Sequence, residues 1–414
     1  ERAFLPAAWS WSAYGDVWKT WSPAPTSKPA DYAAAIKDHY GLAPAPFPNN
    51  DLPLGLRESK TLFGAKGVTS DCMLCHGGSL MGKSVVGLGN ADIDMSALFE
   101  DLARANGTPV RMPFEFTRVR GTTEAAAMAV YLLSLRGPDL ELNLAGNKGF
   151  VYSDQLFENA PAWWLLKKKK TMYMTGSTDA RSVRSIMQFM LSPTNPKSVF
   201  EREQKTFADI QAYILSLEAP KYPLPIDRPL ADKGHAIFDR TCAKCHGTYG
   251  EKWTYPNKVV PIDVIGTDRA RFDGIPAVVG EFYNRSWFAH EKGPNGCAVT
   301  MPVGYQAPPL DGVWATAPYF HNGSVPTIAD VLDSKSRPKI YTRSYDTDLA
   351  DYDGEKLGWK VRVLDRGADP SMPARQRRRI YDTTQPGRGN RGHTFGDHLP
   401  GDERRAVIEY LKTL

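Results

Sequence analysis

Two short stretches of this sequence share one pattern of cysteine, histidine and glycine. DCMLCHGGSL occupies residues 71–80, and TCAKCHGTYG occupies residues 241–250. In each stretch two residues separate the cysteines, and histidine and glycine follow directly. The side chains concerned are Cys72, Cys75 and His76 in the first stretch and Cys242, Cys245 and His246 in the second. Whatever fold the chain adopts must present this group of side chains twice.

Three kinds of site use a CxxC pair. A thioredoxin-type redox pair lies at a helix start near a βαβ pattern, and neither stretch follows a strand of that kind. A structural zinc site takes four ligands, usually from two pairs close together in the chain, whereas these pairs are far apart. Attachment of a c-type haem uses the full pattern CxxCH. Only this third interpretation gives every position of both stretches a role.

In c-type attachment the two thiols bond to the vinyl groups of one haem, and the next histidine supplies a nitrogen to the iron. The two-residue spacer lets both thiols reach one porphyrin edge. The sequence therefore predicts two covalently bound c-type haems with iron. We refer to the centre at residues 72–76 as centre one and to the centre at residues 242–246 as centre two.

Covalent haem and few other cysteines indicate a periplasmic or extracellular protein. The chain begins at Glu1 without methionine, which we interpret as the result of signal-peptide removal. The fifth cysteine, Cys297, is expected to be a free buried thiol, with an intermolecular disulfide as the alternative. No run of eighteen apolar residues is present, so we expect no transmembrane segment.

Charge and composition indicate a folded protein without a nucleic-acid partner. Hydrophobic residues make up 42% and charged residues 23% of the chain, which is typical of a globular protein. The net charge is +5. The densest basic run, Lys167 to Lys170, is expected to be a solvated loop or helix end. No nucleic-acid-binding motif was found.

The surroundings of the two motifs predict similar halves. Each motif is expected to follow a helix, so that Leu62 and Phe63 would pack as Ile237 and Phe238 do. Each half is expected to close on an amphipathic helix, at 207–220 and at 402–414. We therefore predict a mainly α fold of two cytochrome c-like domains with long loop-rich insertions and few short strands.

Composition places the domain boundaries. Residues 1–54 form an arm that is rich in proline and holds four of the ten tryptophans. Residues 55–220 form the predicted first domain, residues 221–229 a proline-rich linker, and residues 230–414 the second domain. The arm is expected to wrap over the core, and the alternative is a docking surface for a partner.

Several further stretches resemble dihaem c-type proteins of the rubber oxygenase and dihaem cytochrome c peroxidase kind. The most specific is WATAPYFHNGSVPT at residues 314–327, and looser likeness covers most of the chain from about residue 55. The other resembling stretches lie at residues 120–138, 161–176, 255–268, 331–341 and 388–414.

The resemblance implies different axial ligands for the two haems. His321, in the HNGS stretch, would be the distal ligand of the second haem and the partner of His246. That haem would then be six-coordinate and would relay electrons. The alternative for His321 is a loop histidine that caps a turn. His393 is the best remaining histidine for a role near the second haem, although a hydrogen-bonded loop histidine is commoner.

At the first haem, rubber oxygenases leave the distal face without a protein ligand, so that O2 binds in an apolar pocket. Methionine ligation is the alternative, and Met112, Met172 and Met174 are the candidates. Arg118 and Arg120 are candidates for binding haem propionates, and a surface role is the alternative. The residues proposed to line the distal pocket are Phe150, Tyr152, Trp163, Trp164, Tyr173 and Phe189.

The expected function is that of a dihaem oxidoreductase outside the cytoplasm. The first haem would bind O2 or H2O2, and the second would relay electrons to or from it. A small apolar molecule or a redox partner protein would be the substrate, and the resemblance to rubber oxygenases implies cleavage of an isoprenoid double bond. The alternatives are a dihaem peroxidase and a dihaem electron-transfer cytochrome that docks on a larger redox complex. The sequence does not identify ligands for a calcium ion.

Overall fold

The computed structural model of this chain describes residues 3–108, 114–151, 153, 155–291 and 298–414. Helix accounts for 35% and strand for 13%, and the strands are spread over small antiparallel sheets. The fold is an α/β mixture. The prediction of a mainly α fold of two cytochrome c-like domains is therefore wrong.

Most helices are short, because glycine and proline interrupt the chain frequently. Only α7 and α8, with 20 and 14 residues, exceed eleven residues in the described part. The helices are α1 (Trp11–Asp16), α2 (Tyr32–Tyr40), α3 (Met73–His76), α4 (Met95–Ala105), α5 (Ala125–Ser134), α6 (Val183–Met187), α7 (Lys197–Ser216), α8 (Arg228–Thr241), α9 (Ala243–His246), α10 (Ile262–Ile265), α11 (Ala270–Asp273), α12 (Ala277–Arg285), α13 (Ile328–Leu332), α14 (Ala374–Arg378) and α15 (Gly401–Leu411). Five 3-10 segments lie at Val17–Thr20, Trp163–Lys167, Gln188–Met190, Val313–Ala315 and Leu349–Asp351.

The strands form two three-stranded sheets and four two-stranded ribbons in the described residues. The larger sheets have the orders β1-β3-β2 and β13-β10-β14, and the ribbons pair β4 with β5, β6 with β7, β8 with β9 and β11 with β12. The strands are β1 (Trp9–Ser10), β2 (Leu56–Lys60), β3 (Lys66–Ser70), β4 (Gly77–Leu80), β5 (Lys83–Val86), β6 (Thr171–Met172), β7 (Thr178–Asp179), β8 (Val259–Pro261), β9 (Gly304–Gln306), β10 (Ile340–Arg343), β11 (Tyr352–Asp353), β12 (Gly358–Trp359), β13 (Val361–Val363) and β14 (Ile380–Asp382).

The second CxxCH motif follows a helix, as predicted. The Asp227 side chain caps the start of α8 by accepting a hydrogen bond from Leu230 N, at 3.1 Å. Helix α8 then crosses α15 at Gly234, where a Cβ would lie only 1.9 Å from the carbonyl oxygen of Ala406. Phe238, which is 1% exposed, packs on this crossing. The close approach of the two helices therefore requires glycine at this position.

The first CxxCH motif follows a β-hairpin, and the predicted helix at this place is wrong. Strands β2 and β3 pair from Leu56 opposite Ser70 to Lys60 opposite Lys66. The turn between them carries Leu62 and Phe63 into solvent, where Phe63 is 97% exposed. Burial alternates along β2, as in a half-buried strand, and Val68 is buried in β3. The glycines at positions 64 and 67 disfavour a helix here.

The tryptophan-rich arm packs on the first half, as the wrapping interpretation predicts. Strand β1 extends the hairpin sheet by pairing Trp9 with Val68. Trp9 and Trp21 are buried, and Trp21 Nε1 donates a hydrogen bond to the Tyr40 hydroxyl at 2.7 Å. The arm thus supplies core to this half of the protein. Among the described residues, no helix combines the length and apolar character needed to cross a lipid bilayer.

Candidate haem-attachment centres

Each CxxCH motif folds into one helical turn, α3 at centre one and α9 at centre two. The amide of His76 donates a hydrogen bond to Cys72 O at 3.1 Å, and His246 donates to Cys242 O at the same distance. Within such a turn, residues i, i+3 and i+4 lie on one face. Both cysteines and the histidine of each motif therefore share a face, as attachment to a single porphyrin requires.

Both histidines are oriented by a proline carbonyl. Nδ1 of His76 lies 3.0 Å from Pro161 O, and Nδ1 of His246 lies 2.8 Å from Pro308 O. A carbonyl oxygen can only accept, so Nδ1 carries the proton in both rings. Nε2 therefore keeps its lone pair, and this orientation of an imidazole by an outer hydrogen bond is typical of metal ligands.

Burial favours the protonation states that haem attachment requires. It lowers the pKa of His76 to about 4 and also lowers the pKa of His246, so both imidazoles are neutral near pH 7. Burial raises the pKa of Cys75 to about 12 and that of Cys242 to about 11. Redox-active CxxC thiols have lowered pKa values instead. These environments do not match the redox interpretation of the motif.

The zinc interpretation finds no support either. None of the four motif cysteines forms a disulfide. No group of three or more His, Cys, Asp or Glu side chains is placed to hold a metal ion in the part of the chain that the structure describes. A structural zinc site needs four such ligands close together. The motifs therefore match the haem interpretation best.

The motif at centre one keeps part of its surface accessible. Cys72 is exposed, and His76 is half-buried. Burial nevertheless raises the pKa of the Cys72 thiol to about 12.

His393 lies close to His246 at centre two. The centroids of the two rings are 6.2 Å apart, and the rings are inclined by 59°. Imidazole–metal bonds are about 2 Å long, and a ring centroid lies about 1 Å behind its nitrogen, so two imidazoles on opposite faces of one metal have centroids roughly 6 Å apart. Burial lowers the pKa of His393 to about 4, and the ring is therefore neutral. The pair has the spacing of a bis-histidine iron site.

A clamp of backbone contacts fixes His393. Its own amide donates to Ile265 O at 2.7 Å, and its φ of 46° lies in the left-handed region. Arg337 donates to the carbonyl oxygens of Asn390 and Gly392, both at 2.7 Å, and to His393 O at 3.2 Å. A single guanidinium therefore holds the loop that presents the histidine. This clamp could not be predicted from the sequence, because its acceptors are backbone oxygens.

His321 lies in a different environment. Its ring stacks on Tyr305 with centroids 4.2 Å apart, and its carbonyl oxygen accepts a hydrogen bond from Asn159 N at 2.6 Å. Burial lowers its pKa to about 3, and its Nε2 is buried without a hydrogen-bond partner in the described part of the chain. A ligand atom is expected to lack such a partner. No ring contact with His246 is recorded there, however, and the assignment of His321 as distal ligand stays a prediction.

Two tryptophans that were predicted to line the first distal pocket lie at different depths. Trp163 stacks on the His76 ring, with centroids 5.1 Å apart and planes inclined by 27°. Trp164 is 4% exposed and donates from Nε1 to Asp311 O at 2.8 Å, so it ties the first half to the second. Only Trp163 of the two touches the CxxCH histidine.

The role of the other residues in the first distal pocket stays a prediction. Tyr173 accepts a hydrogen bond from Gln188 and donates to Ser185 O at 3.3 Å. Phe150 packs edge-on against Phe282 with centroids 5.3 Å apart. Phe189 is 42% exposed, which makes it a poor wall for a buried pocket. Tyr152, Met112 and Cys297 lie outside the described residues.

The contacts of the other two methionine candidates do not place either of them at centre one. Met174 packs with Cys245, in the cluster around Ile262 and Tyr305, and therefore lies near centre two. Met172 is 6% exposed in β6. Neither position shows a contact with His76.

The two arginines proposed for propionates lie in contrasting settings. The Nε of Arg118 lies 3.8 Å from Glu115 Oε2. Arg120 is 3% exposed, and its Nε donates to Asp92 O at 2.8 Å. Binding of a haem propionate by either arginine stays a prediction.

A buried ion pair joins the two halves beside His321. Arg271, on α11, pairs with Glu158 through Nε and Oε1, and both side chains are largely buried. Glu158 also raises the pKa of Cys75, after burial and Cys72, so the pair lies near centre one. Sequence reasoning missed it, since 113 residues separate the partners.

One segment of this chain matches a known family. Residues 304–342 match the family described as RoxA-like, cytochrome c-like. This segment is therefore cytochrome c-like. It contains Pro308 and His321 but neither CxxCH motif.

Two curated relatives come from Sinorhizobium fredii, and neither has an assigned function. The protein y4iJ is 28% identical over 299 residues, which cover 56% of this chain and 48% of that protein. The protein y4iM is 29% identical over 239 residues, which cover 49% of this chain and 52% of that protein. The chain thus spans about half the length of the curated relatives it matches.

Proposed function

We propose that this protein is a c-type oxidoreductase with two covalently attached haems, which works in the periplasm or outside the cell. One haem is held by Cys72, Cys75 and His76, and the other is held by the matching residues of α9. The repeated geometry of the two motifs supports this best. In both, a one-turn helix sets two thiols and an imidazole on one face, and a proline carbonyl orients the imidazole.

Centre two is proposed to be the electron relay. His246 and His393 are the residues that would bind its iron from opposite faces, and the 6.2 Å between their ring centroids supports this pair over His246 and His321. Arg337 keeps His393 in place through the loop carbonyls. Because the fixed ligands need not rearrange, such a site suits electron transfer rather than substrate binding.

Centre one is proposed to be the reactive centre. His76 is the residue that would bind its iron, and Trp163 restricts the rotation of this imidazole from the side. When bound there with an open face, haem supplies an iron that takes O2 or H2O2 and exchanges electrons. A small apolar molecule or a redox partner protein is the proposed substrate.

A continuous set of contacts links the two centres. Pro161 accepts from His76, and two residues earlier Asn159 N donates to His321 O at 2.6 Å. The neighbouring Phe320 ring has its centroid 5.9 Å from that of His393. We propose this set of contacts as the path for electrons between the centres. In this proposal the backbone of His321 is part of the connection, and its ring stacks on Tyr305.

The electron paramagnetic resonance spectrum of the oxidised protein tests the proposal. The protein is produced in a host that matures c-type cytochromes, and its spectrum is integrated against haem content. One high-spin and one low-spin species in equal amounts are expected. Carbon monoxide added to the reduced protein should then shift about half of the Soret absorbance, because one of two irons is open.

Two low-spin species would overturn the proposed reactive centre. The protein would then be the alternative, a dihaem electron-transfer cytochrome. A colourless protein would overturn both functions. Peroxide turnover with a reduced small cytochrome, compared with O2 uptake in the presence of an apolar polyene, distinguishes a peroxidase from an oxygenase once the open iron is established.

A further inference from the structure

Three arginines converge on the ring of one tyrosine, Tyr345. The guanidinium carbons of Arg343, Arg120 and Arg379 lie 4.1, 4.7 and 4.9 Å from the ring centroid of Tyr345. Each contact is within cation–π range. Three like charges at one ring repel one another, so the arrangement requires negative charge nearby.

The carboxylates in this region offset only part of that charge. Asp92 pairs with Arg343 at 2.9 Å, Asp94 with Arg378 at 2.9 Å and Asp38 with Arg375 at 2.9 Å. In the described part of the chain, neither a hydrogen bond nor an ion pair is recorded for the Arg379 side chain. Among the described residues, this guanidinium therefore contacts the Tyr345 ring but has no carboxylate partner.

Arg120 lies beneath this unpaired cation. It is 3% exposed, and its Nη1 is buried without a hydrogen-bond partner among the described residues. Burial and the nearby charge of Arg379 lower its pKa to about 10. A buried cation next to an unpaired one leaves excess positive charge at this place.

Two of these arginines, Arg343 and Arg379, also line an open cavity of about 470 Å³. Arg362, on β13, and Lys360, directly before β13, add two further cations to its lining. Asp351 is the one acidic residue of its described lining. Four cationic side chains line the cavity. Asp351 and Asp92 offset two of these positive charges, so a ligand meets a net positive charge of about two.

We propose that this cavity binds a small dianion, a phosphate-type group or a pair of carboxylates. Arg379 offers planar N–H donors that match two oxygen atoms of one anionic group. The Nη atoms of Arg343 already donate to Ser344 O, Ala91 O and Asp92, so Arg343 contributes charge rather than free donors. Lys360 and Arg362 contribute charge at the opening. The volume suits a ligand of small-molecule size.

Calorimetric titration of the haem-loaded protein tests this site. Inorganic pyrophosphate and citrate serve as probes at constant ionic strength, which removes the general screening effect of salt. Both are expected to bind at one site. Arg379→Gln should weaken binding about tenfold or more, because it removes a charge-assisted hydrogen bond from a partly buried position.

Arg405→Gln is the matched control, since Arg405 is an exposed arginine of α15. It should leave the affinity unchanged. Arg362→Gln, at the rim, provides a second variant and should weaken binding less than Arg379→Gln. Circular dichroism and the thermal midpoint establish that each variant folds.

Three results would overturn the proposal. The first is absence of binding for both probes. The second is equal weakening by the Arg379 and Arg405 variants, which would indicate nonspecific attraction. The third is a shift of the Soret maximum or of a haem midpoint potential in Arg379→Gln together with no pyrophosphate binding, since the arginines would then hold haem propionates.

Discussion

The two CxxCH motifs of this chain have the same local geometry on different scaffolds. At centre two, α8 leads into the motif and crosses α15 at Gly234. At centre one, the hairpin of β2 and β3 leads into the motif, and the arm adds β1 to its sheet. In both places the histidine Nδ1 donates to a proline carbonyl. The one-turn helix and this hydrogen bond are thus common to both, and the scaffold is not.

The surroundings of the two histidines differ as well. His246 faces a second imidazole, that of His393, at 6.2 Å. His76 has the Trp163 ring stacked on it at 5.1 Å. An imidazole can bind iron and an indole cannot, because its ring nitrogen only donates. We therefore expect the two haems to differ in their chemistry, although the two motifs have similar sequences.

The largest effect is expected from removing the thiols. Cys72→Ala with Cys75→Ala should abolish covalent haem at centre one, and Cys242→Ala with Cys245→Ala should do so at centre two. Each double variant should keep about half the haem stain of the wild type after denaturing electrophoresis. A variant that keeps full staining would show that its motif does not attach haem.

Single replacements of His393 and His321 show which of the two histidines is the second iron ligand at centre two. His393→Ala should convert the low-spin iron to high spin, because one axial nitrogen is lost. His321→Ala should keep that iron low-spin. Electron paramagnetic resonance spectra of the two oxidised variants measure this difference in the spin state of the iron. The opposite result would assign the distal position to His321, as the resemblance to rubber oxygenases implies.

The next effect concerns two phenylalanines that the sequence suggested to be equivalent. Phe238 is 1% exposed, and Phe238→Ala should lower the free energy of unfolding by about 3–5 kcal/mol. Phe63 is 97% exposed, and Phe63→Ala should change the free energy of unfolding by less than about 0.5 kcal/mol. Denaturant unfolding monitored by circular dichroism measures both. If the two variants lost similar amounts of unfolding free energy, the hairpin tip at Phe63 would be packed like the helix crossing at Phe238.

A smaller effect is expected at the helix crossing itself. Gly234→Ala places a Cβ 1.9 Å from Ala406 O, so α8 and α15 must separate. Overpacking of this kind costs about 1–3 kcal/mol. Gly15→Ala is the control, because a Cβ there meets no atom within 4 Å. Thermal unfolding should show a lower midpoint for the first variant and an equal or higher midpoint for the second.

The second half was the more predictable part of the fold. The stretch before Cys242 has apolar residues at helical spacing and an Asp227 cap, and α8 forms there. The stretch before Cys72 was assigned a helix by analogy with α8. Its own residues, with Val68 buried between glycine-containing turns, pair as a hairpin instead. The α/β character of the molecule follows from many such short pairings, whose partners are set by tertiary contacts.

The haem-attachment residues could be predicted from the sequence because they lie close together in the chain. Positions i, i+3 and i+4 share a helical face in any context. The proline carbonyls were not readable, since Pro161 lies 85 residues from His76 and Pro308 lies 62 residues from His246. The position of His393 depends on the Arg337 clamp, which uses backbone acceptors and leaves no pattern in the side chains.

The mass of the denatured, purified protein tests the central claim most directly. Covalent attachment through thioether bonds survives denaturation, whereas haem bound only through iron is lost. We predict a species heavier than the polypeptide by two haem groups. A mass equal to that of the bare polypeptide, from a host that matures other c-type cytochromes, would contradict the account.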